Sequence, residues 1–546
     1  MNDPDVKICG TGKAKTFPVD IHSVKEFGIS RWQEECSIWP IKDSESLALI
    51  ADIQELYWQI TTNSSPELNG ALNALFKLTL EYESLIHSLI VVERIGRSGY
   101  SIMHTNKALY YDEILRETNK IRGLFSQYKH KLLPQVPSFW QRSLTKIETF
   151  LIGLKFHSNN FGAYFRSIGN SFISSAGYPS SDMRRYLASK GKGIRFRLPF
   201  MLLPKKHLLS QNVLREIDWI VHQISDGLQR IAIKYDVHLK TNHLEYLEKI
   251  TNIHLQAVTV SITEIWRYLR KIKKTSLLFQ SLGNTDVRCM CVAGKKAGHQ
   301  IVGSTHGNEI GIHKGRSFGV IDLSLVDIYV VPTKGSKELF SKVQKNHYLH
   351  ASREIKFVSI NTDRYLKLWQ INKKVSRPFS IKSVMVVEYP LTEFRHNNTF
   401  AYWPYQLELT LRIGRFLQKK GIKAILKRHP DRLKESEGIY DQYFHELLTE
   451  PFERVYEIAD AFLFTNITTT TFGFALLTNR PILFFDILLK DIWEELHEPL
   501  RKRCRVIPSL IDEDGKLKYD EKAFSNALQK TPEEPDTEFI EEYMFP

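Results

Sequence analysis

The chain has 546 residues, a mass of 63.5 kDa and a formal net charge of +14 at pH 7. Its length predicts at least two domains, because single hydrophobic cores stop growing at about 250–300 residues. A content of 42% hydrophobic and 12% aromatic residues excludes a disordered or low-complexity protein and is typical of a globular one. The positive charge favours an acidic partner such as a phosphorylated lipid, an anionic glycan, a nucleotide or a nucleic acid.

Cysteine usage and hydropathy indicate a reducing compartment and no bilayer span. The five cysteines form neither a disulfide framework nor a CxxC pair; they are Cys9, Cys36, Cys289, Cys291 and Cys504. Cys289 and Cys291 would face different directions on a predicted helix, so we interpret them as packing residues and not as metal ligands. The N-terminus lacks an apolar signal segment, and no apolar run approaches the roughly 20 residues that cross a bilayer. We therefore expect a cytoplasmic protein whose membrane contact is peripheral.

The sequence of the first 210 residues predicts some secondary structure but indicates no function for this part of the chain. Residues 1–60 mix tryptophans with polar residues and are expected to form a folded leader. The run Leu85–Arg94 and the segment Tyr100–Thr105 are predicted as short strand-like or buried segments around a Gly-Arg-Ser-Gly loop. Residues 130–210 carry scattered Gly, Pro and Ser with interleaved basic side chains, so they are predicted to be irregular or surface-active.

Two amphipathic helices are predicted next, over residues 212–235 and from residue 244 onward, because apolar residues recur there at helical spacing. The second helix ends in a basic cluster, which suits the negative end of a helix dipole. The members of this cluster are Arg267, Arg270, Lys271, Lys273 and Lys274. Two interpretations stay open: a solvated helix end, or a contact with a membrane or a glycan acceptor.

A βαβ step follows, with strands at 277–280 and 301–304 and a helix at 286–296. It leads into the loop Thr305–Glu309, at the strand end where α/β enzymes place reactive groups. His306 is a catalytic candidate, because imidazole accepts a proton near neutral pH and Gly307 allows close approach. Glu309 is a second candidate, either as the base or as the group that orients the imidazole. A structural histidine and a solvent-facing carboxylate remain the alternatives.

A second strand series begins after a shift in composition at residues 372–379, where we predict the domain boundary. The predicted domains are 1–375 and 376–546. After a strand at 328–331 and a helix at 336–344, strands are expected at 383–388, 424–426, 461–464 and 482–485. A helix between the first two of that series should end at Gly421. This alternation predicts a doubly wound α/β fold.

Two motifs follow strands of the second series. Lys427 and Arg428 offer cationic donors, His429 offers a further donor, and Pro430 holds the loop rigid, a combination that suits a diphosphate or phosphodiester. The run Thr465–Gly473 contains four consecutive threonines, which can cap a helix start and bind an anion there. An ordinary helix cap is the alternative for the threonines.

The order of these features resembles the GT-B glycosyltransferases of bacterial surface polysaccharide assembly, especially those that transfer Kdo or sialic-type acids from CMP-sugars. The teichoic-acid glycerophosphotransferases that use CDP-glycerol look related. The resemblance covers roughly Leu277 to Glu495. In these families a His-Gly loop, a basic His-Pro motif and a Ser/Thr pair border the cleft, and they match His306-Gly307, His429-Pro430 and Thr468-Thr469 here.

The resemblance implies a role for each candidate residue. His306 or Glu309 would serve the acceptor or the transferred group. The residues that would bind the donor phosphate are Lys427, Arg428, His429, Thr468, Thr469 and Thr470. Arg395 would be a further anion contact, and a surface arginine is the alternative for it. Threonines stand where the families usually have a serine, and we find no acidic motif of the bacterial sialyltransferase kind.

The implied architecture is GT-B-like: α/β, with two Rossmann-type domains facing a cleft and a larger, helix-rich N-terminal half. The implied reaction transfers a Kdo or nonulosonic-type acid from a CMP-activated donor to a bacterial surface glycan or glycolipid, at the cytoplasmic face of the inner membrane, with neither a metal nor a further cofactor. A CDP-glycerol-type glycerophosphotransferase is the alternative. A nucleic-acid or anionic-polymer binding protein is a third possibility, disfavoured because the basic residues are dispersed and no nucleic-acid motif accompanies them.

Overall fold

The computed structural model describes residues 6–9, 15–36, 38–105, 111, 114, 171–174, 183, 186, 193–196, 209–279, 282–305, 311–314, 319–345, 354–392, 399–431 and 433–546. The fold is mixed α/β with two large parallel sheets. Among the helices of these segments, none has both the length and the hydropathy that a bilayer span requires.

The N-terminal part of the described chain combines a small sheet with helices. Strands β1 (Val6–Cys9), β2 (Thr16–Pro18) and β3 (Ser101–Thr105) pair in the order β1-β3-β2. The helices span Ile21–Phe27, Ile29–Glu35, Asp43–Asn63, Pro66–Ala74 and Leu78–Arg97. The folded leader expected for residues 1–60 is confirmed over its described part, and the strand predicted within Tyr100–Thr105 is confirmed as β3.

The prediction for Leu85–Arg94 was wrong, because this run is part of the helix Leu78–Arg97. Leu85, Ile86, Leu89 and Ile90 are all buried, and their spacing fits one face of a helix as well as a buried strand. The polar residues between them are buried too, which erased the alternation of polar and apolar positions that marks an amphipathic helix.

The first parallel sheet has the strand order β5-β4-β6-β7-β8-β9. Its strands are β4 (Ser171–Ser174), β5 (Gly193–Phe196), β6 (Ser276–Phe279), β7 (Gln300–Ser304), β8 (Ile328–Val331) and β9 (Lys356–Ser359). The associated helices are Gln211–Lys234, Thr241–Leu269, Thr285–Lys296, Lys334–Lys345 and Arg364–Asn372, with a π-helical turn at Gly319–Leu323. The two predicted amphipathic helices and the predicted βαβ step are confirmed to within a few residues. The prediction of irregular structure for residues 130–210 was wrong for β4 and β5, which are two strands of this sheet.

The helix Thr285–Lys296 joins the sheet to the N-terminal helices. Its Arg288 is buried and donates from Nε to the Asn73 carbonyl at 2.8 Å and from Nη2 to Ser324 Oγ at 3.0 Å. Cys289 and Cys291 on the same helix are buried, and burial raises the pKa of both thiols. The burial of both thiols fits packing roles for Cys289 and Cys291.

The second parallel sheet has the strand order β12-β11-β10-β13-β14-β15. Its strands are β10 (Ser383–Val387), β11 (Lys423–Lys427), β12 (Glu446–Leu448), β13 (Ala461–Phe464), β14 (Ile482–Phe485) and β15 (Arg505–Ile507). Helices span Trp403–Lys419, Phe452–Val455, Thr470–Leu476, His497–Arg503, Glu521–Gln529 and Glu538–Tyr543. Short 3-10 turns cover Tyr456–Ile458, Asp486–Asp491 and Glu494–Leu496, and β16 (Ser509–Ile511) pairs with β17 (Leu517–Tyr519).

The last helix of the chain returns to the first parallel sheet. Thr333, just after β8, donates from Oγ1 to the carbonyl of Tyr543 at 2.6 Å. A Cβ at the neighbouring Gly335 would lie 2.3 Å from the carbonyl oxygen of Glu542, so only glycine allows this close approach. The C-terminus therefore packs against the part of the chain that carries β8.

Candidate functional site

The strand order of the second sheet reverses between β10 and β13, and we call the space outside the carboxyl ends of these strands the crevice. The chain runs outward from β10 to β11 and β12 and then returns to β13 on the other side of β10. Val387, at the end of β10, pairs with Lys427 of β11 and with Phe464 of β13, so the three strands end at one level. Ligands of open α/β sheets bind at such a reversal. With strands about 4.8 Å apart, the loops after β11 and β13 lie roughly 10 Å from each other.

Glu388, directly after β10, organises one side of the crevice. Its Oε2 accepts the backbone N–H of His429 at 2.8 Å, and its Oε1 accepts the hydroxyl of Tyr440 at 2.6 Å. Burial raises the pKa of this carboxyl, while these two hydrogen bonds act in the opposite direction. Glu388 therefore fixes the backbone of the basic motif. Sequence reasoning missed this role, although a carboxylate at the end of a buried strand was visible.

Lys427 and Arg428 take different positions although they are adjacent. Lys427 is buried, its Nζ donates to the carbonyl of Arg428 at 2.5 Å, and burial lowers its pKa against the opposing effect of Glu388. Arg428 points into its own loop, where Nη2 donates to the Leu433 carbonyl at 2.9 Å and to Ser436 Oγ. Arg428 thus holds the loop in shape, whereas Lys427 supplies a partly desolvated cation beside the strand end.

His429 presents its ring at the rim of the same loop, with 31% of the side chain exposed. Its Nδ1 accepts the backbone N–H of Asp431 at 3.2 Å. In the neutral ring this bond puts the proton on Nε2, which becomes the donor of the imidazole. The side chain can therefore donate to an anion without first becoming charged.

The predicted threonines lie on the other side of β10. Asn466 Oδ1 accepts both the N–H of Thr468 at 2.8 Å and its hydroxyl at 2.6 Å. Thr469 caps the helix Thr470–Leu476, because its Oγ1 accepts the N–H of Phe472 at 3.2 Å. Thr470 is exposed at the first helical position. The capping role that the sequence left open is therefore present at Thr469.

Three buried polar atoms beneath the threonines lack a hydrogen-bond partner among the described residues: Thr465 Oγ1, Asn466 Nδ2 and Gln406 Oε1. Gln406 reaches this place from the helix Trp403–Lys419, where its Nε2 donates to the carbonyls of Phe400 and Thr465. Both amides are thereby fixed in orientation, so Gln406 offers an acceptor and Asn466 a donor. Leaving such groups unpaired costs about 1–3 kcal/mol each, so an ordered water or a bound molecule is expected to pair with them.

Two of the candidate loops lie partly outside the described residues. His306 and Glu309 fall in one of them and Arg395 in the other, and all three lie outside the described part of the chain. The residues that follow both loops are described, and they meet at one residue, Asp491. Asp491 accepts the N–H of Lys314 with its carbonyl at 2.8 Å. With its side chain it accepts the N–H of Thr399 at 2.9 Å and the Thr399 hydroxyl at 3.1 Å.

Further contacts strengthen this junction. Trp493 donates from Nε1 to the carbonyl of Gly311 at 2.9 Å, and Asp43 accepts the N–H of Phe400 at 3.1 Å. Phe400 has a φ of 64°, a left-handed conformation that is strained for a bulky residue. Burial raises the pKa of Asp43 to about 7 and that of Asp491 to about 6. The ends of the His306 and Arg395 loops are therefore anchored together. Burying the carboxylates of Asp43 and Asp491 at this junction costs free energy, because both lose contact with water.

Among the described residues, no cluster of three or more His, Cys, Asp or Glu side chains is arranged to hold a metal ion. Comparison with protein-family models gives no match for this sequence, and comparison with curated proteins gives no significant one.

Proposed function

We propose that the protein is a glycosyltransferase that binds a CMP-activated sugar acid of the Kdo or nonulosonic type in the crevice between β10 and β13. The acceptor would be a surface glycan or a lipid-linked glycan, and two Rossmann-type domains would face each other across the cleft. The observation that carries the proposal is the strand order β12-β11-β10-β13-β14-β15, with the basic motif after β11 and the threonine hydroxyls after β13. Sheets with this order bind nucleotides there.

The donor would contact both loops. Its phosphate would lie near the ammonium of Lys427, Nε2 of His429 and the hydroxyls of Thr468 and Thr470. Such donors are most effective where charge develops, and here that charge is the phosphate oxygen of the departing CMP. The uncharged part of the nucleotide would pair with the buried polar atoms beneath the threonines.

In the transfer step, the acceptor hydroxyl oxygen forms a bond to the anomeric carbon of the sugar. The bond from that carbon to the phosphate oxygen breaks, and its electron pair leaves with CMP. The acceptor proton passes to His306 or Glu309, whichever serves as the base. The common anchoring of the two loops at Asp491 supports this arrangement, because it ties the end of the proposed base loop to the end of the first loop of the donor sheet.

The experiment is a thermal-stability screen with CMP, CDP, UDP, GDP and ADP. A ligand at about 100 times its dissociation constant adds about 2.7 kcal/mol to the free energy of unfolding. Selective stabilisation by CMP is expected. Selective stabilisation by CDP would favour the glycerophosphotransferase alternative, and a response to none of the five would refute the nucleotide site. Binding of generic duplex DNA that weakens steeply with salt, without a CMP response, would favour the nucleic-acid alternative.

A further inference from the structure

A groove between helices of the N-terminal half lies apart from the crevice. It has a volume of about 630 Å³ and is bordered by the starts of the helices Pro66–Ala74 and Gln211–Lys234, by one face of Thr241–Leu269 and by the end of Thr285–Lys296. Pockets that take small ligands measure about 300–1,000 Å³. The groove is therefore large enough for a ligand, and none of the residues of the proposed donor site contributes to it.

The walls of the groove are mainly hydrocarbon. The apolar residues that line it are Pro66, Val213, Ile262 and Val292. Thr259 and Thr263 also line it, but their hydroxyls donate to carbonyls of their own helix, at 2.7 Å and 2.9 Å. An apolar ligand segment would therefore leave neither hydroxyl unpaired.

One end of the groove is cationic. Lys296 lines the groove, and its ammonium lies 5.1 Å from the ring centre of Trp266. The guanidinium of Arg270 lies 4.6 Å from the same ring centre. Thr263, Arg267 and Arg270 follow one another at helical spacings of four and three residues. The stripe that lines the groove thus continues into the basic cluster at the end of this helix.

Two carboxylates line the groove, Glu67 and Glu216, at the starts of the helices Pro66–Ala74 and Gln211–Lys234. Glu216 accepts the N–H of Ser65 at 2.7 Å. Asn252 donates to Asp218 at 3.0 Å, which sets the register between the two long helices. Because the chain reverses direction between these consecutive helices, Glu216 lies near the level of residue 252 and away from Arg270. A ligand with an apolar chain and an anionic head therefore has one favourable orientation.

We propose that this groove binds the hydrocarbon chain of a single lipid phosphate, with the phosphate held by Lys296 and Arg270. Arg267 lies beside them but donates to Glu264 at 2.8 Å, so its charge is already paired. Cations above an aromatic ring and at a helix end attract an anion, and the apolar walls remove the chain from water. Lipid binding in this groove can be measured without any nucleotide or acceptor, so the test of this proposal is independent of the proposed transfer reaction.

The test uses the full-length protein and the series octyl, decyl and dodecyl phosphate, each below its micelle-forming concentration, in a calorimetric titration. Each added methylene should tighten binding by up to about fourfold until the chain fills the groove. Inorganic phosphate, which has the head without a chain, and dodecyl maltoside, which has the chain without a charge, should both bind more weakly than dodecyl phosphate.

Variants separate the chain site from the head site. Thr263→Phe and Val213→Phe should each fill the groove and weaken binding at least about tenfold. The matched control is Thr62→Phe, at an exposed helical threonine whose hydroxyl likewise donates to its own helix. Lys296→Glu should weaken the binding of dodecyl phosphate by about fivefold or more and leave the binding of dodecyl maltoside unchanged. Lys522→Glu, at an exposed lysine, is the charge-reversal control.

Three outcomes would overturn the proposal. The first is an affinity that does not depend on chain length. The second is unchanged binding in both groove-filling variants. The third is binding to anionic vesicles that Lys296→Glu abolishes and both groove-filling variants preserve, because that pattern assigns the basic cluster to a membrane surface and leaves the groove empty of lipid chains.

Discussion

Replacing Asp491 by alanine tests whether the junction between the two candidate loops matters. The substitution removes the acceptor of both the N–H and the hydroxyl of Thr399, which is itself buried. Hydrogen bonds to charged groups contribute about 1.5–3 kcal/mol each, and two bonds to one residue are not fully additive. We therefore expect a loss of about 3 kcal/mol. For a cooperative unit of about 150–250 residues, that loss lowers Tm by roughly 6–12 °C.

The Asp491→Asn variant should recover most of this loss. The amide oxygen can accept the N–H of Thr399, and the amide nitrogen can donate to its hydroxyl, so both contacts persist without the charge. Asp460→Ala is the matched control. Asp460, like Asp491, is partly exposed, and it accepts the N–H groups of Lys382 and Ser383 at 3.0 Å and 2.9 Å. It lies at the opposite, amino-terminal edge of the same sheet.

The assay is thermal unfolding with and without CMP. Both alanine variants should lose stability, but only Asp491→Ala should also lose part of the CMP-induced rise in Tm, because Thr399 ends the loop that follows β10 at the crevice. A Tm for Asp491→Ala within about 1 °C of the parent would contradict the energetic argument. An equal loss of the CMP response in Asp460→Ala would show that the effect is global and refute the link to the site.

Four more substitutions test single residues. Burial raises the pKa of Asp43 to about 7, so between about pH 4 and 7 the folded state holds a proton that the unfolded state has lost. The free energy of unfolding of the parent therefore falls as the pH rises from about 4 to 7. In unfolding titrations, Asp43→Asn should become more stable than the parent by up to about 4 kcal/mol across that window. Arg428→Ala should lower Tm because it loosens its loop, whereas His429→Ala should keep Tm and slow transfer by about 2–4 kcal/mol in kcat/KM. Thr465→Val should leave the free protein as stable as the parent or more so, and weaken CMP binding in a calorimetric titration.

Local patterns in the sequence predicted the central strands of both parallel sheets, but they did not predict the outer strands β4, β5, β9, β12 and β15. The βαβ step around β6 and β7 was predicted to within about a residue, because short apolar runs bounded by turn residues define buried strands. The buried helix Leu78–Arg97 was misread for the converse reason, since burial on several faces removes the helical period. The basic motif and the threonine run were located correctly at strand ends, while the separate role of Arg428 depended on contacts with residues further along its loop.

The residues that sequence reasoning missed share one property: their partners are distant along the chain. Glu388 holds His429 across 41 residues, Gln406 reaches Thr465 across 59, and Asp491 holds Thr399 across 92. No local period or spacing encodes such pairs, because they form only when the parallel sheet brings its strand ends to one edge. Each of the three distant residues binds a loop that carries predicted site residues. The motif residues in the sequence thus indicate which ligand chemistry is available, and the distant carboxylates and amide determine how rigidly that chemistry is presented.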